Sequence, residues 1–306
     1  MHDVNTLKVS LDLLASSSND DVTCRISLQI DSVLSNMKLR LDRKKYMQAT
    51  VYEAATRSLC YEPDYTSIMM KVLRPGDTVI DIGANFGYFS FLASSLVTEL
   101  GRVIALEPEN ENFAYLTRNI VLNNSSNIRA LNVAAGNCTI EADLFIDPLN
   151  DGGHSFSGIS PETQQIIGSD EVCKSKVQMH TLDSLIEVEK ITDIKIIKID
   201  TEGWEFQVIQ GAISAIKRFS PPFILAEINR NGLRKAGASE RYLRRLMAEL
   251  GYSTYIASCL ANGTLVLQMI PLSDYAEPDL KHYNYNAVFA RPEALSGFSV
   301  CYHIFN

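Results

Sequence analysis

Val79-Ile80-Asp81-Ile82-Gly83-Ala84-Asn85-Phe86-Gly87-Tyr88-Phe89-Ser90 reads as a buried strand that runs into a glycine-bearing turn and then a helix. Turns of this kind bring a ligand against bare backbone, and the helix start offers free N–H groups. The spacing is not the dinucleotide fingerprint. After Gly83, G-x-G-x-x-G would need glycine where Asn85 and Tyr88 stand. The pattern present is Asp81-x-Gly83-x-x-x-Gly87. An acidic side chain at a strand end suits a cationic ligand group, and the two glycines leave room for a nucleoside with an amino-acid tail. S-adenosylmethionine fits that description better than NAD.

Downstream, Gly101-Arg102-Val103-Ile104-Ala105-Leu106-Glu107-Pro108 is a second short apolar run ending in a carboxylate. An acid at the end of the second strand of an open α/β sheet can accept hydrogen bonds from both ribose hydroxyls. One crossover helix, roughly 20 residues, accounts for its separation from Gly83. Either piece alone is common in α/β proteins. In order and correctly spaced, the two imply a methyl-donor site.

Composition sets the class. The chain has 306 residues, enough for one large domain or one domain with an appendage, and 46% hydrophobic residues, enough for a sizeable core. A net charge of −8 argues against nucleic-acid and anionic-membrane partners, which leave a basic footprint. No apolar run of about 18 residues is present, so no membrane span is expected. Met1-His2-Asp3-Val4-Asn5 lacks the basic start and apolar core of a signal peptide. Cysteines at 24, 60, 138, 173, 259 and 301 are scattered without a C-x-x-C pair, as in a reducing cytoplasm.

Along the chain, residues 1–70 read as a separate helical region for substrate binding or oligomerisation, with a homodimer through those helices as the implied assembly. Leu7, Val9, Leu11 and Leu14 precede a polar break at 16–21, and Ile26, Leu28, Ile30, Val33 and Leu34 resume the apolar pattern. The basic run Lys38 to Lys45 reads as a solvated face. Residues 71–295 alternate strands and helices, which argues for a parallel sheet covered on both faces. Strands are expected at 78–82, 103–107, 128–133, 194–199, 223–228, 253–257, 265–269 and 286–290, and helices at 86–98, 110–123, 203–217 and 239–250. Extra strands are expected at 140–147 and 176–182. Between them the Gly/Ser-rich stretch Asn150 to Gly158 reads as a mobile loop and lid. The tail 296–306 is apolar enough to dock.

A third segment carries the chemistry: Ile196-Ile197-Lys198-Ile199-Asp200-Thr201-Glu202-Gly203-Trp204-Glu205. A buried strand ends in three carboxylates at the sheet edge where ligands of open α/β sheets bind. Buried unpaired carboxylates are costly, so such a cluster serves a ligand, a cation or a helix start. Glu205 reads as a helix cap, and Asp200 and Glu202 as facing the reaction site.

Taken with Asn132-Val133-Ala134-Ala135-Gly136 and Thr181-Leu182-Asp183-Ser184-Leu185, these motifs resemble the FkbM-type methyltransferases over roughly 75–230. The resemblance implies a class I, Rossmann-like methyltransferase fold. That fold has a mainly parallel seven-stranded sheet with helices on both faces, here with the N-terminal helical appendage. It also implies S-adenosylmethionine as cofactor, S-adenosylhomocysteine as product, and O-methylation of a sugar, polyketide or other secondary metabolite. By the same motifs Asp81 and Gly83 contact the methionine tail, Glu107 the ribose, and Asn132 and Val133 lie near the adenine, with Asn85, Gly87 and Pro108 also read as cofactor-binding. Asp200 sits beside the transferable methyl, and Phe86 is either a cofactor contact or a core aromatic.

An alcohol acceptor must lose a proton, and the candidate bases are His154, Asp200 and Glu202. His180 reads as structural. A Mg²⁺ held by Asp200, Glu227 and Asn229 is available as a reading but not favoured. The alternatives to O-methylation are N-methylation of a small amine and a silent cofactor-binding scaffold. Nucleic-acid methylation is disfavoured, because Asp200-Thr201-Glu202-Gly203 stands where an Asn/Asp-Pro-Pro-aromatic motif would be.

Overall fold

Val22, Cys24, Ile26 and Leu28 are buried and the residues between them are half-exposed; Met37, Leu39 and Leu41 repeat the pattern. A two-residue period belongs to a strand. In the computed structural model, which describes residues 7–168, 172–259, 265–272 and 284–302, the N-terminal region is therefore an antiparallel sheet. Its strands are β1 (Lys8–Ser16), β2 (Asp21–Ile30) and β3 (Val33–Asp42), with Ile30 opposite Val33 across a tight turn. This corrects the helical expectation for 1–70, which holds only from α1 (Tyr46–Thr56) and α2 (Pro63–Val72) onward. A dimer through N-terminal helices accordingly has no helix to use over 8–42. Residues 1–5, read for a leader, lie outside the described residues. The basic run is solvated and paired: Arg40 with Asp21, Lys44 with Asp20 and Lys45 with Glu111.

The chain divides into two compact units. One comprises Met1–Asn132, Pro148–Gly152 and Cys259–Leu265, and the other Val133–Asp147, Gly153–Ser258 and Val266–Asn306. In the first unit the N-terminal sheet and its helices are followed by β4 (Thr78–Ile82), α3 (Tyr88–Val97), β5 (Arg102–Leu106), α4 (Asn110–Asn123) and β6 (Ile128–Leu131). The three later strands pair in parallel, Val79 with Val103 and Val103 with Ile128. All of Thr78–Ile82 is buried, as expected of a strand covered on both faces.

The free edge of β3 is closed by side-chain amides. Asn123 Oδ1 accepts the Lys38 N–H (2.8 Å) and its Nδ2 donates to Lys38 O (2.6 Å). One turn earlier on α4, Asn119 Oδ1 accepts the Arg40 N–H (2.8 Å), and Gln48 Oε1 takes the Asp42 N–H (2.9 Å). Every second residue of the edge is thus satisfied without another strand, which blunts the template an open edge offers.

In the second unit β7 (Ala134–Ala135), β8 (Ile140–Ile146) and β9 (Cys173–His180) form a small sheet in the order β7-β9-β8, with α5 (Pro161–Ile167) between β8 and β9. There follow α6 (Leu182–Val188), β10 (Ile196–Ile199), α7 (Glu205–Gln210), α8 (Ile213–Phe219), β11 (Phe223–Asn229), α9 (Arg230–Lys235), α10 (Glu240–Glu249), β12 (Ser253–Cys259), β13 (Leu265–Ile270), β14 (Asn284–Ala290) and β15 (Ser299–Tyr302). The strands run in the order β15-β13-β12-β14-β11-β10. Pairing here is mixed: β10 is parallel to β11, but β14 is antiparallel to both β11 and β12. Against the expected mainly parallel seven-stranded sheet, the six strands ordered here pair in both directions.

The single helix expected over 203–217 is broken at Gly211. A Cβ there would stand 1.9 Å from Gly136 O, so two backbones meet and the helix ends. The C-terminal tail docks as expected through β15, parallel to β13, with Phe298 against Phe223 (5.5 Å between centroids). Its last residues, 303–306, lie outside the described residues. No described helix is long and apolar enough to cross a membrane.

Candidate active site

In the first unit, β4 delivers a buried Asp81, whose Oδ2 accepts from Ser90 Oγ of α3 at 2.6 Å. Gly83, Asn85 and Gly87 take left-handed φ values of 76°, 51° and 102°. Glycine is needed at 87 on two counts, since a Cβ would also stand 2.6 Å from Phe91 Cε2 and 2.7 Å from Leu116 Cδ1. Asn85 tolerates the left-handed turn because its short amide bonds locally. Its Oδ1 accepts the Phe86 N–H and its Nδ2 donates to Asp151 O (2.9 Å). Phe86 is buried, on the core side of its two readings.

Glu107 follows β5. Its Oε2 accepts the Asn85 N–H and its Oε1 the Glu109 N–H, both at 2.8 Å. Burial pushes its carboxyl up to about 8, against these two donors, which pull it down. Each oxygen keeps a second lone pair. An adjacent pair of hydroxyls, the donor set of a ribose, fits an acceptor held this way. Asn132 Nδ2 donates to Glu107 O (2.9 Å) and Pro108 O (3.1 Å), fixing the chain beyond the carboxylate. Val133 is half-buried and begins the second unit.

Asp151 had no sequence signal as part of this site. Asp151 O accepts from both Asn85 Nδ2 and Asn112 Nδ2, and Asp151 Oδ1 accepts the Met47 N–H (2.7 Å). The stretch read as a mobile loop is therefore hydrogen-bonded at this end.

In the second unit, β10 ends at Asp200. Lys198, buried within an otherwise aliphatic strand, forms an ion pair with it (Nζ to Oδ2, 3.1 Å). Glu202 and Gly203 both have left-handed φ, 51° and 99°. Gly203 lies so close to Gly232 that a Cβ would stand 2.3 Å from the latter's Cα. That approach fixes the turn against the start of α9. Asn229 caps α9, its Oδ1 accepting the Gly232 N–H, and its Nδ2 donates to Glu202 Oε2 (2.8 Å). Burial, then the charge of Asp200, raises the proton affinity of Glu202 above the ordinary carboxylate range.

Oxygens of Asp200, Glu202 and Glu227 lie within 4.8 Å of one another. Asp200 and Glu227, two of the three residues read as Mg²⁺ ligands, are thus together with Glu202, and Asn229 joins them through the amide nitrogen that donates to Glu202 Oε2. Glu205, read as a helix cap, does not cap α7 and ties the preceding turn instead: its Oε1 accepts from Gly203 N (2.9 Å) and from Thr201 N and Oγ1. Burial raises its carboxyl to about 7.

His154 Nδ1 accepts the Asp147 N–H (3.0 Å), so the neutral ring in that bond carries its proton on Nε2 and acts as a donor. The next residue bridges β8 through Phe145–Ser155 backbone bonds of 2.9 and 3.1 Å, and Ser155 Oγ donates to Glu202 O (2.8 Å).

Compared with known proteins, the chain matches the Methyltransferase FkbM domain over residues 81–254. It is 24% identical over 203 residues to the hexuronic acid methyltransferase AglP of Haloferax volcanii, covering 65% of this chain and 73% of that one. Among solved structures it is similar to a methyltransferase FkbM from Methylobacillus flagellatus KT (TM-score 0.41, 18% identity, 80% of this chain and 54% of that one, about half its length). A SAM-dependent methyltransferase from Aquifex aeolicus gives TM-score 0.38 at 12% identity, covering 75% of this chain and 88% of that one.

Proposed function

We propose that this chain, which belongs to the FkbM methyltransferase family and so to the S-adenosylmethionine-dependent enzymes of α/β fold, methylates a hydroxyl of a small-molecule acceptor. When bound, S-adenosylmethionine supplies an electrophilic methyl on a sulfonium. Glu107 would hold the ribose, and Asp81 with the turn at Gly83 the methionine tail. The remaining task is proton removal, and Glu202 is the residue suited to it. Its Oε2 is oriented by Asn229, while its raised affinity lets it accept a proton near neutrality. Asp200, in its ion pair with Lys198, contributes negative charge that favours the proton's arrival.

The observation that carries the reading is this cluster of Asp200, Glu202 and Glu227 with the donors that set it. An O-nucleophile gains from such a site, whereas the same carboxylates hold an amine as its ammonium, which is not a nucleophile. Two measurements test the proposal. Calorimetry should show S-adenosylhomocysteine binding, and product mass should rise by one methyl on a hydroxylated member of a panel of sugars, phenols and amines. Methylation of amines alone would overturn the O-methyl reading, and absence of S-adenosylhomocysteine binding would favour a silent scaffold.

A further inference from the structure

Phe156 and Trp204 meet with ring centroids 5.4 Å apart at 46°. Neither is fully buried, although both pack on the apolar cluster of Ala134, Leu144, Val177 and Met179. Their placement is over-determined. Trp204 follows the Glu202-Gly203 turn that is fixed against Gly232. Phe156 follows Ser155, which is bonded to β8 by its backbone and to Glu202 O by its hydroxyl. This firmly held, partly exposed pair is tied to the acidic cluster at both members: Trp204 stands two residues after Glu202, and Ser155, beside Phe156, donates to Glu202 O.

The charge of that neighbourhood is net negative, three carboxylates against the one ammonium of Lys198 that pairs with Asp200. Asp200, Glu202 and Glu227 offer acceptor oxygens, while Asn229 Nδ2 donates to Glu202 and its oxygen accepts from Gly232. A ligand bound there must bring donors, must not bring a carboxylate of its own, and must present an apolar face to the rings. We infer that Phe156 and Trp204 are the wall of an acceptor subsite for an uncharged polyhydroxylated ring, a neutral pyranoside, whose C–H face lies on the aromatics while its hydroxyls reach the carboxylates. This rests on the methyltransferase reading and narrows it. The aromatic wall sets the ring, and the acids exclude uronates, the class named for the Haloferax relative.

The chain contains a single tryptophan, so intrinsic emission reports this subsite alone. The full-length protein is saturated with S-adenosylhomocysteine, followed by calorimetry, and then titrated with the methyl glycosides of glucose, mannose and galactose and with the matching uronates at equal ionic strength. A saturable change in Trp204 emission with at least one neutral glycoside, at lower concentration than with its uronate, is the expected result. Phe156→Ala should weaken that response about tenfold, the scale of one lost aromatic packing contact, and Phe156→Tyr should restore it. Retained S-adenosylhomocysteine binding in Phe156→Ala shows that the variant is folded. No saturable response to any neutral glycoside, or a tighter one to uronates, overturns the inference while leaving methyl transfer standing. Failure of S-adenosylhomocysteine itself to bind removes the reading beneath it and the inference together.

Discussion

Glu107, buried, and Glu202, half-buried, are two acids whose substitutions should have opposite signatures. Glu107→Ala removes an acceptor held by two backbone N–H groups. Above pH 8, where the Glu107 carboxyl is ionised, S-adenosylhomocysteine affinity should fall by roughly 1.5–3 kcal/mol, the worth of a charge-assisted bond, and unchanged affinity in calorimetry would take Glu107 out of the cofactor site. Glu202→Gln keeps the shape but not the proton-accepting oxygen pair. Its kcat should drop about 10²–10⁴-fold with cofactor affinity nearly normal, and the rise of rate with pH that Glu202 imposes should disappear. His154→Gln should keep most activity, because His154 Nδ1 serves the Asp147 N–H. A loss in His154→Gln equal to that in Glu202→Gln would move the base to the loop.

At the level of elements, the turn between β10 and α7 depends on glycine. Gly203→Ala meets both a left-handed φ of 99° and the Gly232 backbone. It should lower stability by roughly 1–3 kcal/mol, whereas Gly237→Ala, at φ 75° with open space around it, should lose distinctly less. Equal melting temperatures for the two variants would mean the turn yields. The elements around both sites were legible because their strands are short, mostly apolar runs with an Asp or Glu at or beside the end. The N-terminal sheet was not, since the turn at Asp31-Ser32 interrupts the alternation and leaves Ile26–Leu34 without one period. The strand-end positions of Asp81, Glu107 and Asp200 could be read from the apolar runs that precede them. Asp151 could not, because it gathers Asn85 and Asn112 with its backbone carbonyl, a group every residue owns. The break at Gly211 was likewise hidden, since it depends on a distant backbone.

For the whole molecule, three carboxyls titrate far above their unfolded value of 4.5: Glu107 at about 8, Glu205 at about 7, and Glu202 raised by burial. Between that value and their folded ones, the native state binds more protons than the unfolded chain, so their contribution is fully present below pH 4.5 and lost as pH rises through 7 to 8. The melting temperature of the ligand-free protein should therefore fall from pH 6 to pH 8.5, and Glu205→Gln should flatten the fall; a melting temperature rising over that range would contradict it. The amides that close β3 expose the molecule to a different hazard, chemical ageing. Hydrolysis of Asn119 or Asn123 to aspartate exchanges a donating nitrogen for an oxygen. A carboxylate would then face the Lys38 carbonyl, or the Phe86 carbonyl that Asn119 Nδ2 now serves, turning attraction into repulsion. Old preparations would then carry a sheet whose border has been unsealed, free to recruit strands from neighbouring copies, with deamidated peptides from α4 as the chemical trace.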